Sequence, residues 1–268
     1  MYEKNLFDGV EDTLYIPLAA RIFVSEKFPN FFYDEKALSL KEHMPLGSIT
    51  KNSSEYFYMA SVCRQKTIDD KIKRFLNSNS VCNVVFLGAG LETAYHRLGC
   101  NNANFYQVDL PDVIEIRERL LGKRENETLI EGDMFELRWI EEIDTTLPTL
   151  ISVSGVYQYF DEPKIVEMIR RMKELFPYGE LVFDATNKAG LKFANKYVKK
   201  TGNENAQMYF SVDNPQEFAK MTGTELVEVD GFYKDALKEC GDLKVITKIF
   251  MYLSDKWKRT MVIHLILN

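Results

Sequence analysis

From residue 83 onward the chain alternates short apolar runs with helical stretches, and this alternation limits its fold more than any other feature. Asn83–Leu87, Asn104–Val108, Thr128–Glu131, Thr149–Val153 and Glu180–Phe183 read as strands. Leu91–Leu98, Val113–Leu121, Glu136–Ile143 and Lys164–Phe176 read as the helices between and after them. The last of these puts Ile165, Met168, Ile169, Met172 and Leu175 on one face, with Asp161 suited to its N-cap and Pro163 to its first turn. Such spacing predicts parallel βαβ units with right-handed crossovers, hence an α/β fold with a doubly wound, mostly parallel sheet. Glu225–Val229 and Met261–Leu267 supply a sixth and a seventh strand, and Leu243, Ile246, Phe250 and Leu253 a helix capped by Asp242. Loops at the carboxyl ends of the strands then meet at one rim, where open α/β sheets bind ligands.

Residues 1–80 read differently, as a helical N-terminal cap placed before a domain spanning 81–268. Eleven aromatic residues fall in the first 60 positions, and Ile68, Ile72, Phe75 and Leu76 follow a helix period before Asn77–Ser80 breaks it. The stretch 187–222 reads as a helical insertion after strand five, with Lys188, Lys192, Lys196, Lys199 and Lys200 forming a solvated face.

Composition excludes several classes. With 34 basic and 40 acidic residues the net charge is −6, which argues against nucleic acid as a partner. Neither a long apolar run nor a basic leader followed by an apolar stretch is present, so no membrane span or secretory signal is expected. Cys63, Cys82, Cys100 and Cys240 lack metal-ligand spacing and fit a reduced, cytoplasmic setting. With only His43, His96 and His264, a histidine-rich metal site is not expected.

The chemistry concentrates at the rim. Gly88-Ala89-Gly90 follows a strand and opens a helix, so the backbone can pass close under a ligand while helix N–H groups face it. The third position of the dinucleotide pattern is Thr93 instead of glycine, which disfavours a pyrophosphate. Asp109, with Leu110 after it, ends the second strand, where a carboxylate accepts two ribose hydroxyls; capping the next helix is the plainer role. Asp133 ends the third strand, placed to accept from an adenine amino group while Met134 packs on the ring; a plain turn aspartate is the alternative. Two acids beside the glycine turn repel a diphosphate and favour a nucleoside bearing a cationic sulfonium, S-adenosylmethionine. Arg64, before the first strand, offers a bidentate fork to that ligand's carboxylate, or is a surface arginine.

The chain resembles the leucine carboxyl methyltransferase family and its tetracenomycin-type polyketide O-methyltransferase branch. The likeness rests on Thr13–Arg21, Asp34–Ala37, Arg64–Asp70, Leu87–Thr93, Val108-Asp-Leu-Pro-Asp-Val-Ile114, Arg117, Leu120-Leu121, Gly132-Asp133, Trp139, Pro148-Thr149 and Gly155–Phe160. It implies a seven-stranded class I sheet whose last strand is antiparallel. It also implies S-adenosylmethionine as cofactor, with Arg64, Gly88, Asp109 and Asp133 in the roles argued above. Two departures stand out: Glu92-Thr93-Ala94 where the family often has Asp-Thr-Arg, and Ser154 before Gly155 where many members carry a glutamate.

In-line transfer of a methyl group rests on alignment in a dry pocket. An alcohol or phenol acceptor needs a base, whereas a carboxylate does not. With no histidine in the rim loops, the reading leans to a carboxylate, although a hydroxyl stays open. Tyr157 and Tyr159 are candidate acceptor-site residues, or aromatics packed under the fourth strand. The expected substrate is a small molecule. A protein C-terminus is the alternative substrate, and Ser154 keeps open a catalytically inactive nucleoside-binding role.

Overall fold

The computed structural model describes residues 11–43, 54–99, 103–200 and 207–268. Helices α1 (Glu11–Lys27), α2 (Glu35–Ser39) and α3 (Glu55–Ser78) precede the sheet. Then follow β1 (Cys82–Leu87), α4 (Ala94–Leu98), β2 (Ala103–Asp109), α5 (Pro111–Leu121), β3 (Glu127–Glu131), β4 (Thr149–Val153), α6 (Glu162–Leu175) and β5 (Gly179–Thr186). The chain ends with α7 (Lys188–Lys200), α8 (Pro215–Thr222), β6 (Glu225–Asp230), α9 (Lys234–Glu239), α10 (Val245–Lys256) and β7 (Thr260–Ile266).

The seven strands lie in the order β3-β2-β1-β4-β5-β7-β6. The first five are mutually parallel, and β7 runs antiparallel to both β5 and β6. This is the expected doubly wound sheet with an antiparallel last strand. Its strand order reverses between β1 and β4, so the turn after β1 sits at the topological switch point.

All six residues of β1 are buried, as a strand covered on both faces requires. Cys82, Val84 and Phe86 pack with Val62 and Ile68 of α3, Ala20 of α1 and Met251 of α10. Val85 and Leu87 pack on the other face with Ile165, Ile169 and Met172 of α6 and with Trp139. Each such buried aliphatic or aromatic side chain contributes about 1.5–3 kcal/mol. The N-terminal helices therefore share their core with the sheet. Helix α8 does likewise, burying Phe218 and Ala219 in the second cluster. Lys188, Lys192 and Lys196 are exposed as expected; the side chains of Lys199 and Lys200 lie outside the described residues, as do Cys100 and the His43 side chain.

Three local readings need correction. Residues 136–143 do not form one helix. Two 3-10 turns, Met134–Glu136 and Arg138–Glu142, are separated by Leu137 at φ +60°, a break fixed by burial of Trp139 and by its indole N–H donating to the Met134 carbonyl at 2.9 Å. Helix α10 starts at Val245 behind Lys244, not at Asp242. Helix α6 begins at Glu162, not Lys164, with Asp161 at its N-cap and Pro163 in its first turn as expected, although Asp161 makes no side-chain cap bond.

A buried charge network ties the N-terminal helices to the segment after β1. Arg97 of α4 reaches Asp69 of α3 through two bonds of 2.9 Å, Asp34 at 3.0 Å and Glu92 at 2.8 Å. Arg21 of α1 pairs with Asp34 at 3.1 Å and donates to the Leu91 carbonyl at 2.6 Å. Burial opposes ionisation of Asp34, but Arg21 and Arg97 outweigh it and hold its carboxyl below the usual range. Burial keeps Asp69 above that range despite Arg97. Arg97→Ala strips three buried acids of their shared cation and is expected to cost about 3–5 kcal/mol. Arg74→Ala, which removes an exposed partner of Glu228, should cost under about 1 kcal/mol. Urea unfolding of both variants checks this, and equal midpoint shifts would contradict it.

Candidate cofactor site

Five strand ends and one helix build the rim. After β1 the chain turns through Gly88 (φ +66°) and Gly90 (φ +47°), a left-handed conformation that favours glycine at both positions. A Cβ on Gly88 would stand 2.4 Å from a methyl of Val156, so the turn abuts the loop after β4. The Gly88 and Ala89 N–H groups donate to the Val108 carbonyl, and Gly132 N–H donates to the Asp109 carbonyl at 2.9 Å. The ends of β1, β2 and β3 are thereby stitched together.

Asp109 anchors this corner. One carboxylate oxygen accepts from Gly90 N–H at 2.7 Å and the other from Leu110 N–H at 2.8 Å. The plainer role, capping the next helix, is not the one it takes, because Leu110 is the N-cap of α5 and no side chain caps it; a carboxylate has about four acceptor sites and two are used, which leaves capacity for a ligand. Burial raises its pKa above the ordinary value, against the two backbone donors. Leu110 is half exposed beside it. Asp133 is exposed and accepts from Phe135 N–H at 2.9 Å, whereas the Met134 side chain is buried in the core.

One expectation fails here. The helix after the glycine turn was read from Leu91, with free N–H groups facing a ligand. It starts at Ala94, and the N–H groups of Thr93 and Ala94 donate to one oxygen of Glu92 at 2.7 and 2.6 Å. Glu92 therefore satisfies the helix start internally, and the backbone of the Gly88–Gly90 turn, not the helix end, lies at the rim.

At the other end of the rim, Ser154 and Gly155 follow β4. Gly155 has φ +73°, and a Cβ there would stand 2.9 Å from Arg64 Nη1, so the guanidinium lies over its backbone. Gly155 N–H donates to Asp184 of β5 at 2.5 Å, and Arg64 Nη1 reaches the other Asp184 oxygen at 3.3 Å. Arg64 is largely buried, so the surface-arginine reading is set aside.

The rim carries unused polar groups. Gln107, Phe86, Ser152 and Val182 occupy one row of the sheet, with side chains on the α3 face. Ser154, Asp184 and Thr186 continue that face by the two-residue period of a strand. Both ends of the Gln107 amide, the hydroxyls of Ser152, Ser154 and Thr186, and Arg64 Nε are buried without a hydrogen-bond partner among the described residues. Buried polar atoms normally find partners, so this row suits a polar ligand.

The two tyrosines separate. Tyr157 is sealed in the core against Phe183 and Phe210, and burial drives its pKa far up, so it is withdrawn as an acceptor-site residue. Tyr159 is only partly covered; burial raises its pKa, and the charges of Arg64 and Asp184 act on it. His96 lies on α4, with its pKa lowered to about 4 by burial and by Arg124. His264 pairs with Glu180 at 2.7 Å, at the amino end of β5, away from the rim.

Two residues that hold the rim were given no role from the sequence. Asp184, which accepts from Gly155 N–H, is one. Arg117 of α5, quoted for resemblance, is fully buried and donates to the carbonyls of Gly90 at 3.1 Å and Glu92 at 2.7 Å, with Glu127 at 2.8 Å as its counter-charge. Its spacing from Ile114 and Leu121, which put it on the apolar face of α5, was the available signal.

Comparison with known proteins identifies the family and the fold. The family model for leucine carboxyl methyltransferase matches residues 11–173. The tetracenomycin polyketide synthesis O-methyltransferase of Streptomyces glaucescens is 26% identical over 217 residues, 81% of this chain and 80% of that protein. Among solved structures, a provisionally assigned methyltransferase of Thermobifida fusca YX superposes with a TM-score of 0.61 at 18% identity, covering 98% of this chain and 99% of its own. A DUF574 family protein of Streptomyces avermitilis gives 0.59 at 14% identity, covering 92% and 96%; both speak to the fold. The chain belongs to the leucine carboxyl methyltransferase family and is an S-adenosylmethionine-dependent methyltransferase.

Proposed function

We propose that the protein transfers a methyl group to an oxygen, preferably a carboxylate, of a small molecule carrying an apolar, planar portion. The observation that carries this reading is the asymmetry of the rim. Acids and a glycine turn stand at the β1–β3 end, and a buried arginine with orphaned polar atoms stands at the β4–β5 end.

At the first end, Asp109 has acceptor capacity left for ribose hydroxyls, Gly88–Gly90 lets the backbone approach, and Leu110 and Asp133 form the surroundings of the adenine, with the Met134 side chain turned into the core behind them. At the second end, Arg64 offers a fork for the methionine carboxylate, and Ser154 and Gly155 line the approach. When bound, the cofactor supplies an electrophilic methyl group on a sulfonium. The chain's own residues hold and orient the reactants and keep water out.

The acceptor has a place beside this end. A cavity of about 90 Å³ is lined by Tyr56, Phe57 and Ala60 of α3, Thr186 at the end of β5, and Phe193 of α7 and Phe250 of α10. Ala60 stands one helical turn before Arg64, so the cavity adjoins the proposed cofactor end. Its aromatic lining favours a flat apolar group. Tyr159, its pKa raised by burial, keeps its proton at neutral pH and orients an acceptor oxygen as a donor instead of acting as a phenolate base. A carboxylate acceptor, already ionised, fits a site in which His96 and His264 stand elsewhere.

Titration calorimetry with S-adenosylhomocysteine tests the cofactor residues: Arg64→Ala and Asp109→Ala should each weaken binding at least about tenfold, the lower end for a lost charge-assisted hydrogen bond. Wild-type affinity in both variants would refute the site. Binding should also weaken as pH falls through the raised Asp109 pKa, because the protonated acid loses acceptor capacity, while affinity stays flat across neutral pH. Protonation relieves the burial cost of this group, so the fold should persist while affinity falls. For the acceptor, the acids in a panel of planar aromatic acids and phenols should be the ones methylated, giving base-labile methyl esters. Ala60→Leu should abolish that transfer with S-adenosylhomocysteine affinity unchanged, and base-stable methyl ethers alone would overturn the carboxylate preference.

A further inference from the structure

The structure assigns Asp184 a specific task, given the cofactor reading above: its carboxylate receives the α-ammonium of the bound cofactor, so that Arg64 and Asp184 together read an amino-acid zwitterion. Asp184 lies one residue past the Val153–Phe183 register pair, directly beside Ser154 on the neighbouring strand. The acid that Ser154 does not provide at the end of β4 is thus present at the end of β5.

Three observations point to a ligand instead of a finished ion pair. First, the Arg64–Asp184 contact is a single long bond of 3.3 Å, whereas a settled arginine–carboxylate pair is shorter and usually doubled. Second, Asp184 is aimed by the Gly155 N–H bond of 2.5 Å, and two of its roughly four acceptor positions stay unused. Third, Arg64 Nε and the Ser154 hydroxyl are buried and unpartnered among the described residues at the same place. The side chains are only 15% and 8% exposed, so water is a poor substitute partner. One buried plus and one buried minus, set side by side with bonding capacity left over, complement one minus and one plus on the ligand.

Asp184→Asn keeps a side-chain oxygen for Gly155 N–H and removes the charge. Calorimetry should use S-adenosylhomocysteine, its deaminated analogue, which keeps the carboxylate, and 5′-methylthioadenosine, which has neither group. Asp184→Asn should weaken S-adenosylhomocysteine binding by about 10- to 100-fold, the range of a charge-assisted hydrogen bond, and change the other two by less than about twofold. Asp184→Ser should behave the same way. Adding Ser154→Glu to Asp184→Ser returns the acid from the neighbouring strand and should restore the preference for the aminated ligand. Equal losses for the aminated and deaminated ligands would overturn the assignment, since that pattern means Asp184 merely props Arg64. Unchanged S-adenosylhomocysteine affinity in the variants would also overturn it while leaving the cofactor reading intact. Failure of the wild-type protein to bind S-adenosylhomocysteine would remove both.

Discussion

The turn after β1 depends on being held by charge from several directions. Its Gly90 N–H is fixed by the Asp109 carboxylate, and its Gly90 carbonyl by the buried guanidinium of Arg117. The residues that follow are gripped by Glu92 and Arg97, and through Arg97 by Asp34 and Asp69 of the N-terminal helices. A two-glycine turn in the left-handed region is otherwise a floppy element. Here it is a fixed floor, and its fixing groups belong to α1, α2, α3, α4, β2 and α5. The described N-terminal helices and the sheet rim are therefore joined by buried charge.

That rigidity carries an energetic cost. Buried acids and guanidiniums lose hydration that their pairing only partly returns. Unpartnered hydroxyls and an unpartnered amide along the α3 face forgo further hydrogen bonds. Asp109 is desolvated, and its hydrogen bonds among the described residues come from backbone N–H groups. The unpartnered Gln107, Ser152, Ser154 and Thr186 groups and the Asp109 carboxylate lie toward the carboxyl ends of the strands, while the apolar clusters on the two faces carry the stability. Local destabilisation at a ligand-facing edge fits a site built for a partner outside the chain.

The sheet was legible because its signals are local. Runs such as NVVFL bury both faces, and strand–helix spacing leaves few topologies open. Gly88, Gly90 and Asp109 were legible because a left-handed turn and a strand-end acid carry their meaning in sequence. The split of 136–143 was not, since it depends on where Trp139 finds its pocket and hydrogen bond. The internal satisfaction of the α4 start by Glu92 was not, because a glutamate after Gly-Leu has the same composition signal whether it faces solvent or its own helix. Asp184 was hidden for a related reason: its importance arises from lying beside Ser154 across a strand pair 29 residues apart in sequence from Gly155. Tyr157 and Tyr159, two residues apart, looked equivalent until one turned into the core while the other stayed only partly covered.

A crystal structure of the protein with S-adenosylhomocysteine tests the central claim most directly. The account requires the ligand to run along the rim, with its ribose on Asp109 and its amino-acid end between Arg64 and Asp184. A ligand bound in the reverse direction, or seated away from the Gly88–Gly90 turn, would contradict it.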